Sequence, residues 1–321
     1  MQKSSSYYSP LKDKTIWSGR HDALDNDYLY QTIQWLDLDN AVGVDKHDAG
    51  YVLLGFECDE GVCRNQGNAG AKEGPMAFRQ VAGKLSIHHP FKLYDAGNVI
   101  CLDHHLEAAQ DELKKRVSTI LSLGQKPIVI GGGHETAWGH FQGVATHYQD
   151  DIAILNFDAH FDLRPLINNQ LGSSGTPFRQ INEDLKSRNK PFYYYCAGIQ
   201  PYANTKRLFD YAHENKVTYL LAEQIQANPY DLSWIEHIIS NHQRIYVSVC
   251  LDVFSAALAP GVSAPQALGI DPTFVIEALK LLRQSQHVVS LDIVELSPKY
   301  DIQQNTAKLA AALFMTYCMP K

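Results

Sequence analysis

Residues 152–162 read Ile-Ala-Ile-Leu-Asn-Phe-Asp-Ala-His-Phe-Asp, and they decide the fold. The short apolar run at 152–155 is typical of a strand buried in a parallel sheet. Polar side chains follow at the strand's carboxyl end, where open α/β sheets form their ligand sites. If the chain stays extended, Asp158, His160 and Asp162 point the same way. Two carboxylates and an imidazole then suit a divalent transition metal, and the alternative is a strand end with ordinary polar caps.

Outward from this stretch, predicted strands and helices alternate along the chain. We predict further strands at 51–56, 92–97, 127–130, 191–198, 217–221, 245–251 and 288–291. We predict helices at 75–85, 105–123, 137–147, 203–215, 232–240, 271–284 and 306–319, and loops at 57–74, 164–190 and 259–269. This alternation predicts an α/β fold with a doubly wound parallel sheet. We expect one domain over residues 1–321, with residues 1–50 as an extension that wraps it.

The composition limits the classes of function. The chain has 321 residues, 45% of them hydrophobic, and a formal net charge of −7, which argues against binding to nucleic acid or to an anionic membrane. Six cysteines without a paired framework fit a reducing compartment, and no apolar run is long enough for a signal peptide or a membrane span. We therefore expect a cytoplasmic protein with a small-molecule substrate.

Acidic or imidazole side chains follow four of the predicted strands, and the carboxyl ends of parallel strands share one edge of a sheet. The groups are His134, then Asp158 with His160 and Asp162, then Asp252, then Asp292 with Glu295. Two metals that share a carboxylate need about this many ligands, and such a pair produces hydroxide near neutral pH. These residues alone predict metal-assisted hydrolysis or addition of water.

Four motifs together resemble the ureohydrolase family of arginases and agmatinases. They are Gly-Gly-Gly-His134-Glu, Asp158-Ala-His-Phe-Asp162, the segment from Ser248 to Asp252, and Asp292-Ile-Val-Glu295. The resemblance covers about residues 50–320 and implies a three-layer sheet of the arginase type. Segments 58–67, 174–180 and 259–265 resemble the formimidoylglutamase branch, which acts in histidine breakdown. Phe178 stands where arginase-like relatives usually have a histidine.

The resemblance implies a binuclear manganese site and a homo-oligomer. His134 and Asp162 would bind one Mn²⁺, His160 and Asp252 would bind the other, and Asp158 would bridge them. Glu295 matches the carboxylate that holds the amidine end of the substrate, a pairing that suits a planar N–C–N cation. Hydroxide between the metals would attack the formimino carbon of N-formimidoyl-L-glutamate and release formamide and L-glutamate. Asp158 and Glu295 are thus the expected catalytic residues.

An anionic substrate also needs hydrogen-bond donors for its carboxylates. Arg64, Arg164 and Arg179 are candidates because a guanidinium fork matches a carboxylate, and Asn65 and Thr176 could add neutral hydrogen bonds. The alternative for each arginine is a surface ion pair. The segment Gly175-Thr-Pro-Phe-Arg179 favours an anion over the amine of agmatine.

Cys250 departs from the family pattern, which has a bridging aspartate two residues before Asp252. A thiolate prefers zinc and other thiophilic ions to manganese, and a neutral thiol behaves as a small hydrophobe. Three interpretations stay open: a working site in which Cys250 is a weak or absent ligand, a thiolate bridge for a different metal, or a metal-poor protein that binds a ligand without hydrolysis. Within the fold, another amidine or guanidine hydrolase, such as agmatinase or guanidinobutyrase, is the alternative activity.

Overall fold

The computed structural model describes residues 6–320 except 12, 21, 41–43, 45–48 and 150. These residues form one ten-stranded sheet, and nine of its strands run parallel. The strands are β1 (Tyr8–Ser9), β2 (Gln34–Trp35), β3 (Tyr51–Glu57), β4 (Leu93–Ile100), β5 (Lys126–Ile130), β6 (Ala153–Phe157), β7 (Tyr193–Ile199), β8 (Thr218–Leu221), β9 (Ile245–Cys250) and β10 (Val288–Val294). The main order is β1-β4-β3-β5-β10-β9-β6-β7-β8; β1 is antiparallel to β4, and β2 also pairs with β4.

Helices cover both faces of the sheet. They are α1 (Leu29–Thr32), α2 (Glu60–Arg64), α3 (Gly74–Ala82), α4 (Leu106–Ser122), α5 (Thr136–His147), α6 (Pro177–Ser187), α7 (Lys206–Glu214), α8 (Ala222–Ala227), α9 (Ser233–Asn241), α10 (Thr273–Ser285) and α11 (Asn305–Cys318). The apolar faces of α3, α9, α10 and α11 belong to one core cluster, and those of α4, α5, α6 and α7 belong to the other. The predicted three-layer α/β fold is confirmed.

The central strands are apolar on both sides because each side faces a helix layer. On β3, Leu53 belongs to one core cluster, while its neighbours Val52 and Leu54 belong to the other. This is the alternation that a pleated strand imposes on successive side chains. The strand order then places β5, β10, β9 and β6 side by side in the middle of the sheet. The four predicted motifs therefore lie at the carboxyl-terminal parts of adjacent strands.

The predicted loop at 164–190 is wrong in part, because α6 occupies Pro177–Ser187. Pro177 stands at the start of the helix, where a missing N–H costs nothing. Phe178, Ile181 and Leu185 are buried at helical spacing and pack against the sheet. That spacing was readable in the sequence, although polar residues surround it. The predicted loop at 57–74 likewise contains α2 and a 3₁₀ turn at Ala71–Glu73.

The amino-terminal segment contacts the edge of the sheet through β1 and through Trp17, whose indole N–H donates to Asp95 at 2.7 Å. The single domain with a wrapping extension stays a prediction, and its residues 1–5, 12, 21, 41–43 and 45–48 lie outside the described residues. Across the part of the chain that the structure describes, no helix combines the length and apolarity needed to cross a membrane.

Candidate metal centre and substrate pocket

His134 reaches the site from the glycine-rich turn after β5. The backbone of this turn passes so close to β3 that a Cβ on Gly132 would lie 1.6 Å from the carbonyl oxygen of Cys58. Only glycine allows that approach. The N–H of His134 donates to Glu295 Oε1 at 2.9 Å, which joins the ends of β5 and β10.

The chain bends directly after β6 instead of staying extended, so the geometry that we expected for residues 158–162 is wrong. The N–H of His160 donates back to Asp158 Oδ1 at 2.7 Å, and Asp162 has a φ of 48°. A non-glycine residue at positive φ is uncommon and carries some strain, which surrounding contacts must offset. The predicted convergence is nevertheless present, because the bend turns all three side chains toward the same point.

Two histidines lie on either side of Asp158. The Nδ1 atom of His134 is 2.9 Å from Asp158 Oδ2 and 3.0 Å from Asp162 Oδ2. The Nδ1 atom of His160 is 3.1 Å from Asp252 Oδ2 and 3.5 Å from Asp158 Oδ1. The described residues thus form two groups of possible ligands, His134 with Asp158 and Cys250, and Asp158 with His160 and Asp252. Asp158 is common to both groups.

The residues present fit a pair of divalent cations. Asp252 Oδ1 is buried without a hydrogen-bond partner among the described residues, and His134 Nδ1 faces two carboxylates without an aligned hydrogen bond; this arrangement is costly unless a further group contacts these atoms. Burial tends to lower the pKa of His134, but the carboxylates of Asp158 and Asp162 hold it well above its usual value. Burial and the charge of Asp158 raise the pKa of Asp162 to about 6. The surplus of carboxylate charge that causes these shifts favours a bound cation.

A buried network beneath the site orients His134. Its Nε2 atom is 3.0 Å from Ser248 Oγ, and that hydroxyl donates to Asp292 Oδ1 at 2.6 Å. Tyr246 and His140 also contact the carboxylate of Asp292. Asp292 therefore lies inside β10 as a supporting group and does not line the pocket. Fixing Nε2 in this way leaves Nδ1 facing the carboxylates, as outer-shell partners of metal-binding histidines do.

Cys250 is buried at the end of β9. The possible ligand atoms of Cys250, His134 and Asp158 all lie within 4.8 Å of one another. Burial, then the charges of Asp158 and Asp252, raise the pKa of its thiol well above the usual value. The geometry leaves all three interpretations of Cys250 open.

A cavity of about 270 Å³ opens over these groups. Its lining includes the predicted site residues His134, His160, Asp162, Cys250, Asp252, Glu295 and Asn65. Glu295 has a φ of 70°, and Ser263 donates a hydrogen bond to its Oε2 atom. Burial raises the pKa of Glu295 to about 7. Asp158 lies beneath the cavity and is completely buried.

Three predicted substrate-binding residues do not line this cavity. Arg64 is engaged with Glu60 and Glu107. Arg179 forms an ion pair with Glu183, and its guanidinium lies 4.4 Å from the ring centre of Tyr211. The hydroxyl of Thr176 closes the turn before α6: it accepts the Ser173 N–H at 2.8 Å and lies within bonding distance of Gln180 Oε1.

Other residues at the mouth of the cavity were not among the site predictions. They include Gln66, Asn68, Ser174 and Ser263. Arg164, considered only as a candidate, also lines the cavity; its side chain is exposed and forms no ion pair with the described residues. The serines lie in the Gly-Ser-Ser-Gly and Ala-Pro-Gly-Val-Ser segments, whose glycines were the available signal.

Comparison with known proteins gives consistent results. The family model of the arginase family matches residues 49–319. The formimidoylglutamase of Legionella pneumophila (strain Lens) is 41% identical over 310 residues, which are 96% of each chain. The formimidoylglutamase of Clostridium tetani is 39% identical and covers 96% of this chain and 95% of its own. A crystal structure of Trypanosoma cruzi formiminoglutamase with Mn²⁺ superposes with a TM-score of 0.80 at 27% identity, over 92% of this chain and 98% of the other.

Proposed function

The chain belongs to the arginase family, and on that premise we propose that it hydrolyses N-formimidoyl-L-glutamate to L-glutamate and formamide. The observation that carries the proposal is the shared position of Asp158 between two histidines, beneath a cavity lined by Glu295 and by Arg164, for which the described residues provide no ion-pair partner. Full-length relatives at about two-fifths identity that are named formimidoylglutamases support the choice of substrate.

The ligands of the proposed metal pair are His134 and Asp162 on one side, His160 and Asp252 on the other, and Asp158 between them. Mn²⁺ is the proposed metal, by analogy with the related Trypanosoma cruzi structure. When bound, such a pair supplies a hydroxide nucleophile near neutral pH.

The protein's own groups bind and orient the substrate. In the proposed complex, the Glu295 carboxylate accepts hydrogen bonds from the two nitrogens of the formimino group and fixes the position of its carbon in the cavity. Ser263 holds that carboxylate in place through its hydrogen bond to Oε2. Arg164 pairs with a substrate carboxylate at the mouth of the cavity, and Asn65 and Ser174 supply neutral hydrogen bonds. Since Arg64, Thr176 and Arg179 have other partners, we leave them out of the proposed substrate contacts.

The test is turnover by Mn²⁺-loaded protein, measured as formamide and L-glutamate released from N-formimidoyl-L-glutamate. Agmatine and 4-guanidinobutyrate are the comparison substrates, and Asp158→Asn is the matched inactive variant. We expect release of both products from the formimino substrate alone. Turnover of agmatine in its place would identify an agmatinase. Binding of the formimino substrate without turnover at any Mn²⁺ concentration would identify a non-catalytic protein.

Metal content tests the role of Cys250. We propose that the site works with this thiol as a weak or absent ligand, so that wild-type protein retains Mn²⁺ after gel filtration and Cys250→Asp retains more. A cobalt-substituted protein with a thiolate-to-metal absorption band would instead support a thiolate ligand.

Two coarser properties complete the proposal. We propose a cytoplasmic location, supported by six free cysteines. We also propose a homo-oligomer, which light scattering on a sizing column tests directly.

A further inference from the structure

We propose that Arg64 is a positioning residue: it clamps together the two loops that form the mouth of the pocket and does not itself contact the substrate. The first mouth loop is residues 58–68, and the second mouth loop is residues 172–176. The inference rests on the proposed function where its test measures KM and kcat. Hydrogen exchange of the mouth loops tests it independently of turnover.

All five N–H donors of the Arg64 guanidinium are already in use. The Nε atom donates to Glu60 Oε1 at 3.0 Å. The Nη1 atom donates to Glu107 Oε1 at 2.6 Å and to the carbonyl of Gly172 at 3.1 Å. The Nη2 atom donates to Glu107 Oε2 at 3.2 Å and to the carbonyl of His104 at 3.4 Å. Because an arginine side chain has five such donors, none remains for a substrate carboxylate.

These bonds connect three separate parts of the chain. Glu60 belongs to the first mouth loop, Gly172 to the second, and Glu107 to the first turn of α4, which packs on the sheet. The fork of Arg64 on both oxygens of Glu107 is the bidentate arrangement that fixes orientation as well as distance. Arg64 therefore holds both mouth loops against a rigid helix.

The backbone carries the clamp to the pocket. The carbonyl of Gly61 accepts the N–H of Ser174 at 3.0 Å and the N–H of Asn65 at 3.0 Å. Asn65 and Ser174 both line the cavity, one in each mouth loop. On the buried side, Glu135 Oε1 accepts the N–H of Gly61 at 2.9 Å. Arg64 holds Glu60, next to Gly61, and Gly172, two residues before Ser174, so we infer that it sets the positions of both pocket residues from outside the pocket.

The metal ligands have different supports, since they follow the central strands and rest on the network at Ser248 and Asp292. Removing the clamp is therefore expected to loosen substrate binding without loss of metal. A substrate contact by Arg64 predicts something else. In that case Glu107→Gln would release donors toward the substrate and would not weaken binding.

The experiment compares Arg64→Met, Glu107→Gln and the double variant in Mn²⁺-loaded protein. Arg116→Met is the matched control: Arg116 also lies four residues after a glutamate partner, Glu112, and it joins a distant acid, Asp39. It does not line the pocket. Each protein is measured for KM and kcat with N-formimidoyl-L-glutamate, for metal per chain, and for hydrogen exchange of the mouth loops.

We expect Arg64→Met to raise KM about tenfold, the size of one charged hydrogen-bonded contact, with kcat within about twofold and metal content unchanged. Glu107→Gln should raise KM by a smaller factor, and the double variant should be no worse than Arg64→Met, because both act on one contact. Exchange should become faster in both mouth loops. Arg116→Met should leave KM and loop exchange unchanged.

Two results would overturn the clamp. In the first, Arg64→Met has a raised KM, whereas Glu107→Gln has a wild-type KM and unchanged hydrogen exchange in the second mouth loop. This result would identify a direct substrate contact by Arg64. The other is Arg64→Met with KM and loop exchange like wild type. If wild-type protein hydrolyses none of the substrate, the proposed function fails, and loop exchange still decides whether the clamp exists.

Discussion

Two groups of buried charged side chains lie at the sheet. In one group, protein atoms satisfy the charges; in the other group, they do not. Arg79 donates twice to the Asp95 carboxylate, at 2.7 and 2.9 Å, and once each to Asn98 Oδ1 and to the carbonyls of Pro75 and Gly97. Trp17 also donates to Asp95. In the metal centre, by contrast, Asp252 Oδ1 has no hydrogen-bond partner among the described residues, and His134 Nδ1 faces the carboxylates of Asp158 and Asp162 without an aligned hydrogen bond.

The difference separates a structural cluster from a functional one. At Arg79 one positive charge meets one negative charge, and protein atoms fill every donor of the guanidinium. At the metal centre, four carboxylates (Asp158, Asp162, Asp252 and Glu295) surround two imidazoles. An arrangement of that kind is unfavourable by itself and becomes favourable when cations bind. The surplus of carboxylates over positive charge therefore distinguishes the metal centre from the structural cluster at Arg79.

The largest effect is expected from removing the group shared by the two ligand sets. Asp158→Asn keeps the shape of the side chain but loses a negative charge, so hydrolysis should fall by at least about 1,000-fold. Metal per chain, measured by mass spectrometry, should fall with it, while circular dichroism stays native. Full metal content with normal turnover would show that Asp158 does not bridge.

Substitutions in the cluster around Arg79 should instead lower the stability of the fold. Arg79→Met leaves Asp95 buried without its partner, which costs about 3–5 kcal/mol of the free energy of unfolding. Urea unfolding measures this loss, and Arg79→Lys, which keeps the charge but not the fork, should lose less. Metal binding by the folded fraction should be unchanged. An equally stable Arg79→Met would mean that the network contributes specificity but no stability.

Adding Mn²⁺ should sharpen the contrast. A metal that binds only the folded state stabilises it by about 2.7 kcal/mol per site at 100 times the Kd. We expect Mn²⁺ to raise the Tm of wild-type protein and of Arg79→Met by similar amounts. The Tm of Asp158→Asn should not change. Chelation with EDTA should reverse the shift. Equal shifts in all three proteins would point to binding elsewhere.

The smallest effect is expected at the partly exposed pair of Arg64 and Glu107. The hydrogen bond from Arg64 lowers the pKa of Glu107 below its ordinary value of 4.5. The pair therefore stabilises the fold above that pH, and the contribution disappears as the pH falls through the lowered pKa. Near neutral pH, the free energy of unfolding of wild-type protein should exceed that of Glu107→Gln by less than about 1 kcal/mol. This difference, measured by urea unfolding, should disappear in acid. A gap that widens in acid would contradict this sign.

Sequence patterns predicted the alternating elements and the positions of the metal-ligand candidates because both depend on local features. An apolar run such as 152–155 marks a buried strand, and the polar residues after it mark its carboxyl end. The sequence pattern did not predict the helix Pro177–Ser187, because its seven polar residues outnumber its four apolar ones. The bend after Phe157 was also not predictable, since contacts with distant residues hold it, such as the hydrogen bond from the Phe161 N–H to Asn204 Oδ1.

The sequence by itself determined the arginase-type fold and the residue types of the metal centre. It did so because strands, helices and strand-end motifs are specified by neighbouring residues. Only the tertiary structure decided which arginine is available to a substrate. Arg64, Arg164 and Arg179 look equivalent in sequence, but the folded chain fills all five donors of Arg64, stacks Arg179 on Tyr211 and leaves Arg164 in the pocket. Those partners come from distant segments, and the packing of the sheet and its helices selects them.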